Sequence, residues 1–269
     1  MDTGGRANGA RPGRRLKNTL YIAAKAPRAD LTKTRLGRAI GHDRAVALYK
    51  AFLSDLAARF ADTPFALGWY ITPPEAWREI APLVYRAGRV PQVSIQGEGD
   101  WTERQRQLFR EAAGCDNERV VLVASDSPQI TVGVVDEAFR NLDRHDLVFG
   151  PTYDGGYYLI GMRGFHDVLS GIPMSTGTVL DDIASRAEQT GLSVGWVETT
   201  FDIDEAEDLK HLRTLAAIRT DLAATRTALD ALGLDGGGRP TSNERAETRP
   251  ADAGPVTGLT RPEYEEEPR

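Results

Sequence analysis

Apolar and polar positions along the chain switch repeatedly between a period of two and a period of about 3.6. Thr19–Lys25, Phe65–Ile71 and Val93–Gln96 are short, largely apolar runs of strand length. Val120–Ala124 has no polar position at all, the pattern expected of a strand buried on both faces. Between these runs lie helical stripes. Arg44–Ala61 places Tyr49, Phe52, Leu53, Leu56 and Phe60 on one face, with Asp43 at the N-cap position. Pro74–Val84 predicts a short helix with proline at its start, and Thr102–Ala113 predicts another. Val134, Val135, Ala138, Phe139 and Leu142 mark the next helix.

The later third continues in the same way. Asp146–Gly150 and Tyr157–Met162 read as strands bracketing a turn, and Thr176–Gln189 as a helix with Val179, Leu180, Ile183 and Ala187 on one side. Leu192–Val197 is a strand, and Glu205 onward runs helical to about Leu232. Its leucines at 209, 212, 215 and 222 can pack on the domain, the expected arrangement, or on a second subunit in a homodimer. The alternation predicts an α/β fold with a mostly parallel central sheet and helices on both faces.

The ends break this pattern. Residues 1–18 are rich in Gly, Arg, Pro and Lys without an apolar stretch behind the basic residues, so they do not read as a secretory signal. Residues 234–269 are rich in Gly, Pro, Thr, Glu and Arg. Both are expected to be disordered tails flanking one domain over 19–233. Apolar runs of about five residues fall far short of the ~20 needed to span a bilayer. A net charge of −6 argues against a general nucleic-acid binder. The single cysteine, Cys115, sits between Gly114 and Asp116 in an expected helix-to-strand turn and suits a reducing cytoplasm.

Six segments carry candidate chemistry, each at a strand or helix end. Ser125-Asp126-Ser127-Pro128 stops the buried run and leaves a carboxylate at a strand's carboxyl end, where open α/β sheets bind ligands. Asp126 there can hold a divalent cation against nucleotide phosphates, or cap the next turn. The loop from Lys25 to Leu36 brings Lys25, Arg28, Lys33 and Arg35, with Thr34, to the end of the first strand, where they can surround a polyphosphate. Gln96 precedes a Gly-Glu-Gly turn and can read a base edge through its amide.

Asp154-Gly155-Gly156-Tyr157-Tyr158 can be a hairpin turn. Equally, it can be a surface for a hydroxylated acceptor, with Asp154 taking the proton of the attacking hydroxyl. Ser175 and Thr176 precede a helix, first as N-cap candidates and secondarily as substrate contacts. Asp204, at the last strand-to-helix junction, can supply a second metal carboxylate.

Taken together, these segments resemble the nucleotide-diphospho-sugar transferase superfamily, and within it the bacterial arsenosugar-biosynthesis-type glycosyltransferases. The motifs are Lys25/Pro27/Lys33–Leu36, Ser125–Pro128, Asp154–Gly161 and Asp202–Leu209, in the family's order. The chain departs from the pattern at Ala29-Asp30, Trp101-Thr102, Met174 and Glu205-Ala206. The resemblance implies a single-domain glycosyltransferase A, Rossmann-like fold. It also implies nucleotide binding by the first loop, Mg²⁺ or Mn²⁺ at Asp126 and Asp204, and acceptor handling by Asp154, Gly155, Gly156 and Tyr157.

The expected activity is therefore a cytoplasmic, metal-dependent glycosyltransferase acting on a nucleotide-sugar and a small-molecule acceptor, with no nucleic-acid or membrane partner. The alternative is a nucleotidylyltransferase that takes a nucleoside triphosphate and releases pyrophosphate, similar to phospholactate or molybdenum-cofactor guanylyltransferases. A third reading is a non-catalytic nucleotide-binding protein.

Overall fold

The computed structural model describes residues 17–86, 91–113, 119–174 and 176–233. Both expected tails, the turn around Cys115 and the substrate candidate Ser175 lie outside the described residues.

β1 (Asn18–Lys25) pairs in parallel with β2 (Ala66–Thr72) on one side and with β4 (Arg119–Ala124) on the other. β3 (Gln92–Ile95) extends the sheet beyond β2. Past β4 come β6 (Tyr157–Arg163), antiparallel to both neighbours, then β5 (Leu147–Pro151), and β7 (Val194–Trp196) parallel to β5. Among the described residues the sheet order is β3-β2-β1-β4-β6-β5-β7. The chain winds outward from β1 to β3 and then crosses back to β4. This puts a topological switch point between the carboxyl ends of β1 and β4, where open α/β sheets leave a crevice.

Side chains alternate across the sheet, as the period of two requires. Leu20, Ile22, Trp69, Ile71, Val121 and Val123 enter one core, packed by α2 (His42–Arg59), α3 (Trp77–Val84), α5 (Val132–Asn141), α7 (Asp208–Ile218) and α8 (Ala223–Ala231). Tyr70, Val120, Leu122, Phe149 and Ile160 enter the other, under α4 (Trp101–Ala112) and α6 (Val179–Gln189). On α2, Phe52, Leu53 and Leu56 are fully buried. Burial of each such side chain contributes about 2 kcal/mol, enough to hold this helix on the sheet. Leu209, Leu212 and Leu222 pack into the same core, with Leu215 against it, so the late leucines face the domain itself.

Several boundaries differ from the sequence expectations, each for a local reason. The basic loop ends early in a short helix, α1 (Thr34–Ile40), because Leu36 and Ile40 reach the core one turn apart. α2 starts at His42 after Gly41, whose φ of 96° ends α1. Asp43 therefore sits in the first turn, where the helix dipole favours it, and is not the cap.

α6 begins at Val179, not Thr176, and its N-cap is Thr178. The Thr178 hydroxyl at its N-cap donates to Asp182 instead of accepting a backbone N–H. The helix expected over 205–232 is broken at Arg219, which is extended at φ −100° and ψ 121°. Its guanidinium is drawn to the Gln129 carbonyl and Asp221, and the chain restarts as α8 with Ala224 and Thr225 N–H groups on the buried Asp55 carboxylate. Among the described residues no helix is long and apolar enough to cross a membrane.

Candidate functional site

The chain leaves β1 at Lys25 and closes a tight loop. Arg28 N–H donates to the Ala26 carbonyl at 2.8 Å, Thr32 N–H to the Arg28 carbonyl at 3.0 Å, and the buried Thr32 hydroxyl to the Ala26 carbonyl at 2.7 Å. This compact turn aims Lys33 back under the sheet's carboxyl edge. Arg28 points elsewhere, held by Glu79 at 2.6 Å and Glu75 at 3.6 Å on the α3 side. Arg35 is exposed on α1 and Thr34 opens that helix, and neither lines the cavity described below. Asp30 is exposed and away from that cavity as well.

Lys33 is the pivot of the site. Its Nζ lies 3.1 Å from Asp126 Oδ1 and 3.1 Å from Asp204 Oδ1, joining the start of the chain to the ends of β4 and of the last extended segment. The lysine side chain is 1% exposed, whereas those of Asp126 and Asp204 are 43% and 48% exposed, so the ammonium lies beneath two open carboxylates. Burial alone would lower the lysine pKa, but the two carboxylates outweigh it and the net shift is upward, keeping Lys33 charged. Lys33 is also the one non-glycine at positive φ, 51°, among the described residues. Such backbone persists where surrounding contacts over-determine it.

The side chains of Phe201–Asp204, before the turn into α7, alternate in direction. Asp202 reaches the Ser127 hydroxyl, Ile203 is buried in the core with its N–H on the Asp126 carbonyl at 3.2 Å, and Asp204 meets Lys33. The Asp208 carboxylate then accepts the Asp204 and Glu205 N–H groups, fixing the turn into α7. Burial, together with the negative charges of Asp126 and Asp204, pushes the Asp202 carboxyl up to about 6, against the Ser127 hydrogen bond and Lys33. Three carboxylates thus face one ammonium. Asp202 escaped the sequence reading, although its spacing of two from Asp204 put both on one side of an extended chain.

Lys33, Asp126 and Asp202 border a cavity of about 490 Å³ at the switch point, large enough for a nucleotide-sized ligand, whereas Asp204 does not line it. Its wall includes Lys25, Lys33, Gln96, Asp126, Asp202 and Tyr157. Tyr49, Trp101 and Arg104 also line it. Tyr49 had the spacing of a core residue and is also that, while Trp101 and Arg104 arrive with the first turn of α4, capped by Asp100. Arg104 Nε is buried without a hydrogen-bond partner.

Gln96 has less freedom than expected. Its amide NH₂ donates to the Tyr70 carbonyl at 2.8 Å and its Oε1 faces Arg104 at 3.4 Å, so the amide is anchored to the wall. Tyr157 donates to Gln105 Oε1 at 3.0 Å.

Asp154, Gly155, Gly156 and Thr176 do not line this cavity. Asp154 Oδ1 accepts the Thr152 hydroxyl at 2.6 Å and the Gly156 N–H at 3.2 Å, the self-bonding of an aspartate turn. Gly155 has φ +85°, and a Cβ there would overlap the Gly177 carbonyl oxygen. Its own carbonyl accepts the Leu180 N–H at 3.2 Å, docking the hairpin on α6. The glycines serve close packing, and the hairpin-turn reading describes the Asp154 carboxylate.

Among the described residues no three His, Cys, Asp or Glu side chains form a cation cage by themselves. The donor set nonetheless suits a hard divalent ion. Asp126 and Asp204 each use only Oδ1 on Lys33, and the three carboxylates exceed the ammonium by a charge of two. Mg²⁺ is commonly held by one or two carboxylates completed by substrate phosphates.

Residues 69–176 match the family model described as an uncharacterized protein conserved in bacteria (DUF2064). The matched span contains Asp126 but neither Lys33 nor Asp204. The chain is similar to a solved structure from Desulfovibrio desulfuricans G20, provisionally named a nucleotide-diphospho-sugar transferase, at 29% identity and a TM-score of 0.71. That likeness covers 81% of this chain and 96% of the other.

The chain shares the fold of that protein. The expected Rossmann-like α/β class with a mostly parallel sheet is borne out. Two further structures also match. A CMP:2-keto-3-deoxy-manno-octonic acid synthetase complexed with CTP has 13% identity, covers 75% and 98% of the two chains and gives a TM-score of 0.48. A 4-diphosphocytidyl-2C-methyl-D-erythritol synthase has 11% identity, with 76% and 99% covered and a TM-score of 0.48. No curated protein sequence matches the chain.

Proposed function

We propose that this chain is a transferase that binds a nucleotide-diphospho-sugar at the switch-point cavity and passes its sugar to a small hydroxylated acceptor. The observation that carries this reading is the convergence of Lys25, Lys33 and Asp126 on one nucleotide-sized cavity at the carboxyl ends of β1 and β4. The likeness to the Desulfovibrio protein supports the same class of donor. Lys25 and Lys33 meet the diphosphate, while Tyr157 and Arg104 line the space left for the rest of the donor or for the acceptor. Asp126 and Asp204 would hold Mg²⁺ or Mn²⁺ together with phosphate oxygens. When bound, that ion neutralises the charge that develops on the departing nucleotide.

Lys25, Lys33 and Arg35 of the first loop favour the triphosphate alternative, since a triphosphate needs more cationic contact than a diphosphate-sugar. Of the loop's cations, Lys25 and Lys33 line the cavity, while Arg28 is tied to Glu79 and Arg35 is exposed on α1. Arg104 of α4 is a third cation on the same wall, so charge alone does not separate a diphosphate from a triphosphate and a ligand screen does.

A thermal-shift screen tests this, comparing nucleoside diphosphate-sugars with nucleoside triphosphates, each with Mg²⁺, Mn²⁺ or EDTA. A ligand at a hundredfold excess over Kd stabilises the fold by about 2.7 kcal/mol. We expect a metal-dependent shift from a diphosphate-sugar. A shift from a triphosphate alone would replace the proposal with nucleotidyl transfer, and no shift from either class would overturn nucleotide binding at this cavity.

A further inference from the structure

Lys33 stands where a bound cation would be expected. Its ammonium is equidistant, at 3.1 Å, from one oxygen of Asp126 and one of Asp204. An ammonium offers three donors and a single charge. Here it is set against three carboxylates, and the two that it touches stay about half exposed, Asp126 on the cavity wall and Asp204 beside it but not lining it. A divalent ion at the same carboxylates would carry twice the charge and bind oxygen directly. Lys33 also lines the cavity, so a freed ammonium on its flexible four-carbon stem has an anion-binding space beside it.

We propose that Lys33 is the resident counter-ion of a cation site and that a divalent ion displaces its ammonium from Asp126 and Asp204. The displaced Lys33 turns its donors to the anionic ligand in the cavity, and this last step rests on the proposed nucleotide binding. Cation and phosphate then bind cooperatively without touching the same lysine contacts. By linkage, each raises the affinity of the other by the same factor. Without an anion to receive Lys33, the cation has to compete with the ammonium and binds weakly.

The test uses Mn²⁺ alone, counted as free ion by electron paramagnetic resonance in titrations of the full, nucleotide-free chain. Lys33→Met should bind Mn²⁺ more tightly than the wild type by about tenfold, within the range usual for coupled sites. The gain should vanish in Lys33→Met combined with Asp126→Asn. Lys25→Met removes the same charge from the same cavity but not from between the carboxylates, and should show little of the gain. Equal Mn²⁺ affinity in Lys33→Met and wild type, or an equal gain in Lys25→Met, would overturn the proposal.

If Lys33→Met does not fold, the wild-type chain answers by acylation of lysines with an N-hydroxysuccinimide ester, mapped by mass spectrometry. Mn²⁺ should raise Lys33 labelling severalfold over EDTA, and unchanged or reduced labelling would overturn the proposal. These readouts need no nucleotide, so their failure leaves the diphosphate-sugar screen intact, and failure of that screen leaves them interpretable.

Discussion

The Tyr49 hydroxyl lies 2.8 Å from Oγ of Ser125, and both groups are buried. The same phenol oxygen accepts the Lys25 N–H at 3.0 Å. One side chain from α2 therefore ties together the carboxyl ends of β1 and β4, one residue away from Asp126. Burial, helped by the charge of Asp126, holds the phenol well above its ordinary pKa, so it stays a neutral hydrogen-bonding group.

Tyr49→Phe should cost about 1–3 kcal/mol, because it strands a buried amide and a buried hydroxyl. Urea unfolding measures this. A larger relative loss should appear in the ligand-induced thermal shift, since both strand ends that carry Lys25 and Asp126 are loosened. An unchanged urea midpoint would mean that water replaces the phenol at no cost.

Asp126→Asn should abolish the metal-dependent part of the nucleotide shift while the domain stays folded. Its carboxylate is half exposed and lies outside both cores, so the charge matters more than the packing. Unchanged ligand affinity in this variant would remove Asp126 from the site.

Asp154→Ala separates the two readings of the Asp-Gly-Gly turn. With its hydrogen bonds to Thr152 and Gly156 as the whole role, the variant loses about 1 kcal/mol of stability and keeps the ligand shift. A variant of full stability that binds donor but transfers no sugar would return Asp154 to the role of base.

Asp146 makes stability depend on acid pH. The Ser193 backbone N–H, then its hydroxyl, and the Arg163 guanidinium hold the carboxyl down to about 2 from an ordinary 3.8, with burial opposing. The folded chain thus binds this proton more weakly than the unfolded chain. Its contribution is complete above about pH 4 and is lost as pH falls towards 2. At about 1.4 kcal/mol per pKa unit, Asp146→Asn should cost up to about 2 kcal/mol at pH 7 and clearly less at pH 3. Paired urea titrations at the two pH values check this, and an equal cost at both would rule out the ionic contribution.

The sheet was largely legible in the sequence because burial on one or both faces writes a period into each strand. Val120–Ala124, Thr19–Lys25 and Tyr157–Met162 were found within a residue of their observed bounds. Boundaries set by single contacts were not legible. Nothing local in Glu205–Leu232 shows that Arg219 will leave the helix for Gln129 and Asp221, which come from other parts of the fold or from beyond the break. The short α1 escaped for the opposite reason, since two apolar residues one turn apart are too few to make a stripe.

By itself the sequence determined the class of fold and which strand ends carry charge. Hydrophobic periodicity and strand-ending turns are local, and Asp126 and Lys25 stand next to theirs. The tertiary structure alone decided which of those charges meet. Four loop cations looked equivalent in the chain. Arg28 was taken by Glu79, Arg35 turned to solvent, and Lys33 was buried between Asp126 and Asp204, which are 93 and 171 residues away in sequence. Charge pairing depends on distance through space, falling off within a few ångströms at the protein surface, and no spacing along the chain encodes that distance.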